Sequence, residues 1–161
     1  MQDLANQTGE RVYLAVPYRE EVLYLEAMYP ADSVELMRSI LGERAQMYCT
    51  GLGKAMLANM GEQEIKDYLD HQELEAFTEN SITDKDKLYE ELVRTRQRGY
   101  AIDDMEHEFG IKCISMPILN RSKKVYAAIS VSGIATHFNE ENISEWAILL
   151  KKYVNKIESR L

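Results

Sequence analysis

The sequence has few of the features that mark a disulfide-stapled, membrane-embedded or metal-dependent protein. It has only 2 cysteines, Cys49 and Cys113, and 3 prolines among 161 residues. The cysteines match no ligand spacing such as CxxC, and the 3 histidines form no HxxxH pair, so we expect neither a metal site nor a disulfide. No apolar run approaches the roughly 18 residues of a membrane span, and no signal peptide is present. These absences predict a cytoplasmic protein without a cofactor.

Positive charge is also scarce. Lys and Arg total 19 against 27 Asp and Glu, which gives a net charge of −8. Affinity for DNA comes largely from neutralising phosphates, and a domain with that role normally gathers a basic surface. We therefore expect any contact with DNA to be made by a segment outside this chain.

The spacing of apolar residues predicts one domain over residues 1–161, with its strands in two groups. Clustered strands favour an α+β antiparallel sheet over a doubly wound one. The first strand is expected to end before Pro17, because proline interrupts strand pairing. Helices are predicted over 2–9, 53–60, 62–69, 83–98 and 139–161, and strands over 11–16, 21–28, 34–40, 100–103, 112–119 and 125–132.

Small polar residues alternate along the last two predicted strands. Side chains two apart share a face of a strand, so Ser130 and Ser132 lie together, as do Cys113 and Ser115. If these faces coincide with that of Asp103, they form a hydrogen-bonding floor for a small ligand. The alternatives are a serine-bearing edge strand, a small core cysteine and a solvated acidic loop.

A glycine-rich turn precedes the predicted helix over 53–60. Free N–H groups at such a turn can bind a carboxylate, although a plain helix start capped by Thr50 gives the same pattern. The turn lacks the spacing of a P-loop and the third glycine of GxGxxG, so nucleotide binding is disfavoured. No GxSxG motif occurs, and a single cysteine within a strand is a weak nucleophile candidate. We expect no enzyme activity.

Four segments together resemble the effector domain of IclR-type transcriptional regulators. They are TGLGKAMLA at 50–58, RGYAIDDME at 98–106, GIKCISMPI at 110–118 and AAISVSG at 127–133. The resemblance implies a GAF-like (profilin-like) fold, a curved antiparallel sheet of about six strands flanked by helices. Two departures are the Gln46–Tyr48 segment in place of Pro-Leu-His, and a turn at 120–124 without the usual glycine.

The resemblance also implies a binding site and a role. Ligand-binding groups would be the side chains of Asp103, Cys113, Ser130 and Ser132 and the backbone of Gly51 and Leu52, with Val34, Met37 and Ile111 as candidate apolar walls. Two further candidate walls come from other observations: Ser115 from the strand pattern and Tyr48 from the departure at 46–48. The ligand would be a small organic acid, such as a keto acid, a hydroxy acid or a sugar acid. The protein would self-associate as a dimer or tetramer, and it would contact DNA only through an N-terminal winged helix-turn-helix domain that this chain lacks. A stand-alone GAF-like signalling module and an enzyme acting on a small acid are the competing hypotheses.

Overall fold

The computed structural model describes residues 1–33 and 40–161 and contains five α-helices and six strands in that part of the chain. The predicted strand over 34–40, together with the candidate wall residues Val34 and Met37, falls almost wholly outside it. The helices are α1 (Gln2–Thr8), α2 (Gly51–Leu57), α3 (Glu62–His71), α4 (Lys85–Arg98) and α5 (Glu140–Glu158). The strands are β1 (Arg11–Tyr18), β2 (Glu21–Met28), β3 (Arg44–Gln46), β4 (Ala101–Asp104), β5 (Ile111–Leu119) and β6 (Val125–Ile134).

The six strands form one sheet in the order β3-β2-β1-β6-β5-β4, and every neighbouring pair is antiparallel. The sheet curls into a half-barrel, so the α+β GAF-like prediction is confirmed. Strands from both ends of the chain meet where β1 pairs with β6, and that pairing joins the two predicted groups into one sheet.

Each face of the sheet covers a separate core. On one face, Ile114, Met116, Ile129 and Val131 pack with residues of α1 and α5. On the other, residues of α2, α3 and α4 pack over the central strands. The long helix α5 begins at Asn139, whose side chain accepts a hydrogen bond from the N–H of Asn142 at 2.8 Å. Because both faces of the sheet are covered, side chains on both sides of its central strands are buried.

One prediction about the strands was wrong, and one strand was missed. Strand β1 runs through Pro17 to Tyr18 instead of ending before the proline. Pro17 lies beyond Ala15, the last β1 residue paired with β6, so that side of β1 is an edge on which a missing N–H is tolerated. The short strand β3 was not predicted, because three residues at an edge carry too little alternation to be recognised.

Candidate functional site

Strand register brings polar residues from four strands into one row. Asp103 of β4 lies opposite Cys113 of β5, Cys113 opposite Ser132 of β6, and Ser132 opposite Arg11 of β1. A neighbouring row on the same face contains Ser115, Ser130 and Tyr13. Directly opposed residues in an antiparallel pair have Cβ atoms about 5 Å apart, so these side chains are close neighbours.

A cavity of about 450 Å³ opens above these rows, between the sheet and the start of α2. Tyr13 and Tyr24 lie in its wall with their rings edge to face, 5.7 Å between centroids. Seven residues singled out from the sequence line it: Gly51, Leu52, Asp103, Ile111, Cys113, Ser130 and Ser132. The structure thus brings the expected polar groups together around one volume.

Helix α2 begins almost in contact with the floor of the cavity. A Cβ atom on Gly51 would lie 2.6 Å from both Cys113 Sγ and Ser115 Oγ, so only glycine allows this approach. The Thr50 side chain caps the helix by accepting the N–H of Gly53 at 3.2 Å. The N–H groups of Gly51 and Leu52, in the first turn, have no partner within the helix and lie at the cavity. The Gly51 N–H also approaches the Cys113 sulfur, which is only a weak acceptor.

A buried ion pair holds this end of the cavity in place, and it was not predicted. Lys54 of α2 is only 1% exposed, and its Nζ lies 2.5 Å from Glu106 Oε1 and 3.5 Å from Glu91 Oε1. Glu106 belongs to the loop after β4, and Glu91 belongs to α4. One lysine therefore ties α2 to the two segments that border Asp103.

Asp103 is the most perturbed carboxyl group in the cavity. It is 5% exposed, and burial raises its pKa to about 7, with the nearby Glu106 carboxylate adding to the rise. The N–H of Glu106 donates to Oδ1 at 2.8 Å, and Lys54 opposes the shift by favouring the charged form. Asp103 thus carries a proton part of the time at neutral pH and can act as donor or acceptor.

The thiols at the site are poor nucleophiles. Burial raises the pKa of Cys49 to about 12 and raises that of Cys113 above its usual range, so both remain protonated near neutral pH. The Cys49 thiol lies 3.6 Å from Nδ1 of His107, whose pKa burial lowers. Across residues 1–33 and 40–161, no group of three or more His, Cys, Asp or Glu side chains is arranged to hold a metal ion.

Two candidate wall residues, Tyr48 and Ser115, do not line the cavity. Tyr48 is buried away from the cavity, where its hydroxyl donates to the carbonyl of Glu75 and accepts from its N–H, both at 2.9 Å. Ser115 shares the expected face but is fully buried, and a Cβ atom on Gly51 would lie 2.6 Å from its Oγ. Conversely, Arg11, Tyr13 and their neighbours on β2 were not predicted at the site, because their place beside Ser130 depends on which strand pairs with β6.

Comparisons with known proteins agree on one family. The family model described as the C-terminal part of the bacterial transcriptional regulator IclR matches residues 1–159. The regulator KdgR of Escherichia coli is 31% identical over 163 residues, and BhcR of Paracoccus denitrificans is 35% identical over 143 residues. The match covers 100% and 88% of this chain but only 61% and 50% of those relatives.

Solved structures give the same result. The IclR structure from Thermotoga maritima superposes with a TM-score of 0.93 at 38% identity, covering 99% of this chain and 64% of that one. The C-terminal domain of E. coli KdgR superposes with a TM-score of 0.87 at 30% identity, covering 99% and 92%. The fold is the GAF-like fold of these C-terminal domains. The chain belongs to the IclR C-terminal family of bacterial transcriptional regulators.

The class of these relatives bears on enzyme activity. They are transcriptional regulators and not enzymes, which supports the expectation that this chain is not an enzyme.

Within the residues described, no helix has both the length and the apolar character needed to cross a bilayer.

Proposed function

We propose that residues 1–161 form one effector-binding domain, and that its cavity binds a small organic acid to modulate DNA binding by the full-length regulator. The observation that carries this proposal is the convergence of donors and acceptors from four strands and the start of α2 on one cavity of about 450 Å³. A volume of that size suits a small metabolite. A keto acid, a hydroxy acid or a sugar acid fits the mixture of polar groups.

The carboxylate of the ligand would bind the backbone N–H groups of Gly51 and Leu52. These groups lie at the free end of the helix, and the partial positive charge of a helix start favours an anion. Lys54 follows in the same turn but is committed to Glu106, so the anion would be held by amides and not by this lysine. A carboxylate is a stronger acceptor for these N–H groups than a thiol sulfur or a water molecule.

A second polar group of the ligand would meet Asp103, Ser130 and Ser132, which lie one strand to either side of Cys113 and Ser115, the residues beneath Gly51. An ionised Asp103 repels a carboxylate but accepts a hydrogen bond from a hydroxyl group. Its raised pKa also lets the protonated form donate to a carbonyl oxygen. These residues therefore favour ligands that carry a hydroxyl or carbonyl group in addition to the acid group.

Ligand binding would act by shifting an equilibrium. A ligand between the sheet and α2 stabilises one arrangement of the segments that Lys54 ties together, and differential affinity for two states shifts their populations. The regulator would pass this bias to DNA through dimer or tetramer contacts and a separate DNA-binding domain. The net charge of −8 is consistent with a domain that does not contact DNA itself. We place the regulator in the cytoplasm, where its effector and its operator would meet.

Isothermal titration with a panel of small keto, hydroxy and sugar acids tests the proposal. Ser130→Ala removes one hydroxyl from the cavity, and we expect it to weaken binding of a panel acid about tenfold. Ser122→Ala is the matched control, because Ser122 is exposed in the turn between β5 and β6, and it should leave binding unchanged. The proposal fails if no acid binds, or if binding is unaffected by Ser130→Ala and Asp103→Asn. Recovery of the bound acid unchanged distinguishes a sensor from an enzyme.

A further inference from the structure

Arg11 is a partly buried cation at the edge of the cavity floor. Its side chain lines the cavity beside Ser132, its direct neighbour across the β1–β6 pair. In the part of the chain that the structure describes, no carboxylate lies within ion-pair distance of its guanidinium group, whose charge favours the ionised form of the neighbouring Tyr13 hydroxyl and so opposes the rise in the pKa of Tyr13. A cation that has lost part of its hydration without gaining an anion is unfavourable, and a ligand anion would relieve that cost.

Other cations around the site have carboxylate partners. Arg44, the second arginine in the lining, pairs with Glu21 at 3.0 Å. Lys54 pairs with Glu106 and Glu91 beneath α2. Arg11 thus differs from its neighbours in having its charge available at the cavity.

The backbone of Arg11 also lies away from the N–H groups of Gly51 and Leu52 at the start of α2. Gly51 stands over Cys113 of β5, whereas Arg11 belongs to β1, two strands away across β6. Neighbouring strands are about 4.8 Å apart, so the two places are roughly 10 Å apart along the sheet. A ligand that spans these two places would present a different group to each.

The acidic lining limits where an anionic group can sit. Glu43 and Glu108 also line the cavity and disfavour a second anion near them. Arg11 also borders a smaller cavity of about 190 Å³, but Ser132, its direct neighbour across the β1–β6 pair, and Tyr13, two residues along β1, line only the larger of the two. The guanidinium is therefore associated with the effector cavity.

The geometry points to an effector with two acidic groups, one bound by the Gly51 and Leu52 amides and the other by the guanidinium of Arg11. This inference rests on the proposed function and narrows its ligand class to linear diacids and their keto or hydroxy derivatives. A guanidinium binds a carboxylate through two parallel N–H···O bonds, which gives orientation as well as affinity. Arg11 is thereby a specificity-determining residue.

Two series of acids matched in chain length test the inference by titration. Succinate, glutarate and adipate carry two acidic groups, and butyrate, valerate and hexanoate carry one. We expect at least one diacid to bind about ten- to a hundredfold more tightly than its monoacid partner. Arg11→Gln should remove that preference, so that each diacid binds no more tightly than its monoacid partner. Arg121→Gln, the same charge change at an exposed turn residue, should preserve it.

The outcomes separate this inference from the proposed function. If neither these acids nor the wider panel binds, the proposed function fails. If both series bind equally and Arg11→Gln changes neither, acid binding stands and the second acidic group is wrong. The comparison of diacid with monoacid in the unaltered protein separates these outcomes even if the Arg11 variant folds poorly.

Discussion

Replacing Asp103 with asparagine removes one charge from the cavity floor while keeping the shape of the side chain. The carboxyl group is 5% exposed, and an asparagine oxygen can still accept the N–H of Glu106, now bonded at 2.8 Å. Burial raises the pKa of Asp103 to about 7 in the folded protein, whereas an unfolded aspartate ionises near 3.9. The folded chain therefore holds a proton that the unfolded chain has lost across this interval.

The sign and size of the effect follow from that difference. Because the folded pKa is raised, the stabilisation from this proton is greatest below the unfolded pKa and is lost as pH rises through about 7. Between about pH 5 and 8, the free energy of unfolding of the unaltered protein should fall by roughly 2–3 kcal/mol relative to Asp103→Asn. The asparagine variant should be the more stable protein at the alkaline end.

Urea unfolding of both proteins without ligand at several pH values measures this difference. Subtracting one protein from the other cancels groups that titrate equally in both. Asp104→Asn is the matched control, because its carboxylate is 54% exposed in an ion pair with Lys112 and should give a difference of less than about 1 kcal/mol across the range. A difference for Asp103→Asn that is flat, or that favours the unaltered protein at high pH, refutes the account of Asp103.

Three further substitutions test the packing around the site. Gly53→Ala should cost about 3 kcal/mol or more in urea unfolding, because its Cβ would lie 2.2 Å from the Cα of Met47 and backbone must move. Lys54→Met should cost about 3–5 kcal/mol at neutral pH, since it leaves the buried Glu106 carboxylate unpaired. Lys123→Gly should raise the free energy of unfolding by about 0.5–1 kcal/mol, because Lys123 has φ 59 and glycine relieves that strain at some cost in chain entropy.

Two of these three substitutions have a matched control. Gly61→Ala should cost far less than Gly53→Ala, because its Cβ would meet only the flexible end of the Glu64 side chain. Ser122→Gly should destabilise the same turn by about 0.5–1 kcal/mol, since Ser122 has no positive φ to relieve. Equal effects within either pair, or a harmless Lys54→Met, would contradict the structural reasoning.

Local periodicity predicted much of the cavity floor. Alternation assigned Cys113 and Ser115 to one face of β5, and Ser130 and Ser132 to one face of β6, because a strand turns every second side chain to the same side. That the two faces coincide follows from the register of the strands. The glycine-rich turn predicted a helix beginning at the site, and α2 begins at Gly51. These signals need only a few consecutive residues, so they are readable without tertiary structure.

The remaining features of the site depend on long-range strand pairing and on packing, which the sequence alone does not reveal. Arg11 and Tyr13 reach the floor only because β1 pairs with β6, a contact between opposite ends of the chain. The Lys54–Glu106 ion pair likewise depends on how α2 packs against the loop after β4. Tyr48 was expected near the cavity, yet its hydroxyl is satisfied by the backbone of Glu75. Neither register nor packing leaves a periodic signal in the sequence.

A crystal structure with the tightest-binding acid of the titrations tests the central claim most directly. We expect the acid inside the cavity, with one carboxylate at the N–H groups of Gly51 and Leu52 and another polar group within hydrogen-bonding distance of Ser130 or Asp103. An acid bound at the outer surface with the cavity empty, or bound in the cavity without contacts to these residues, would contradict the proposed function.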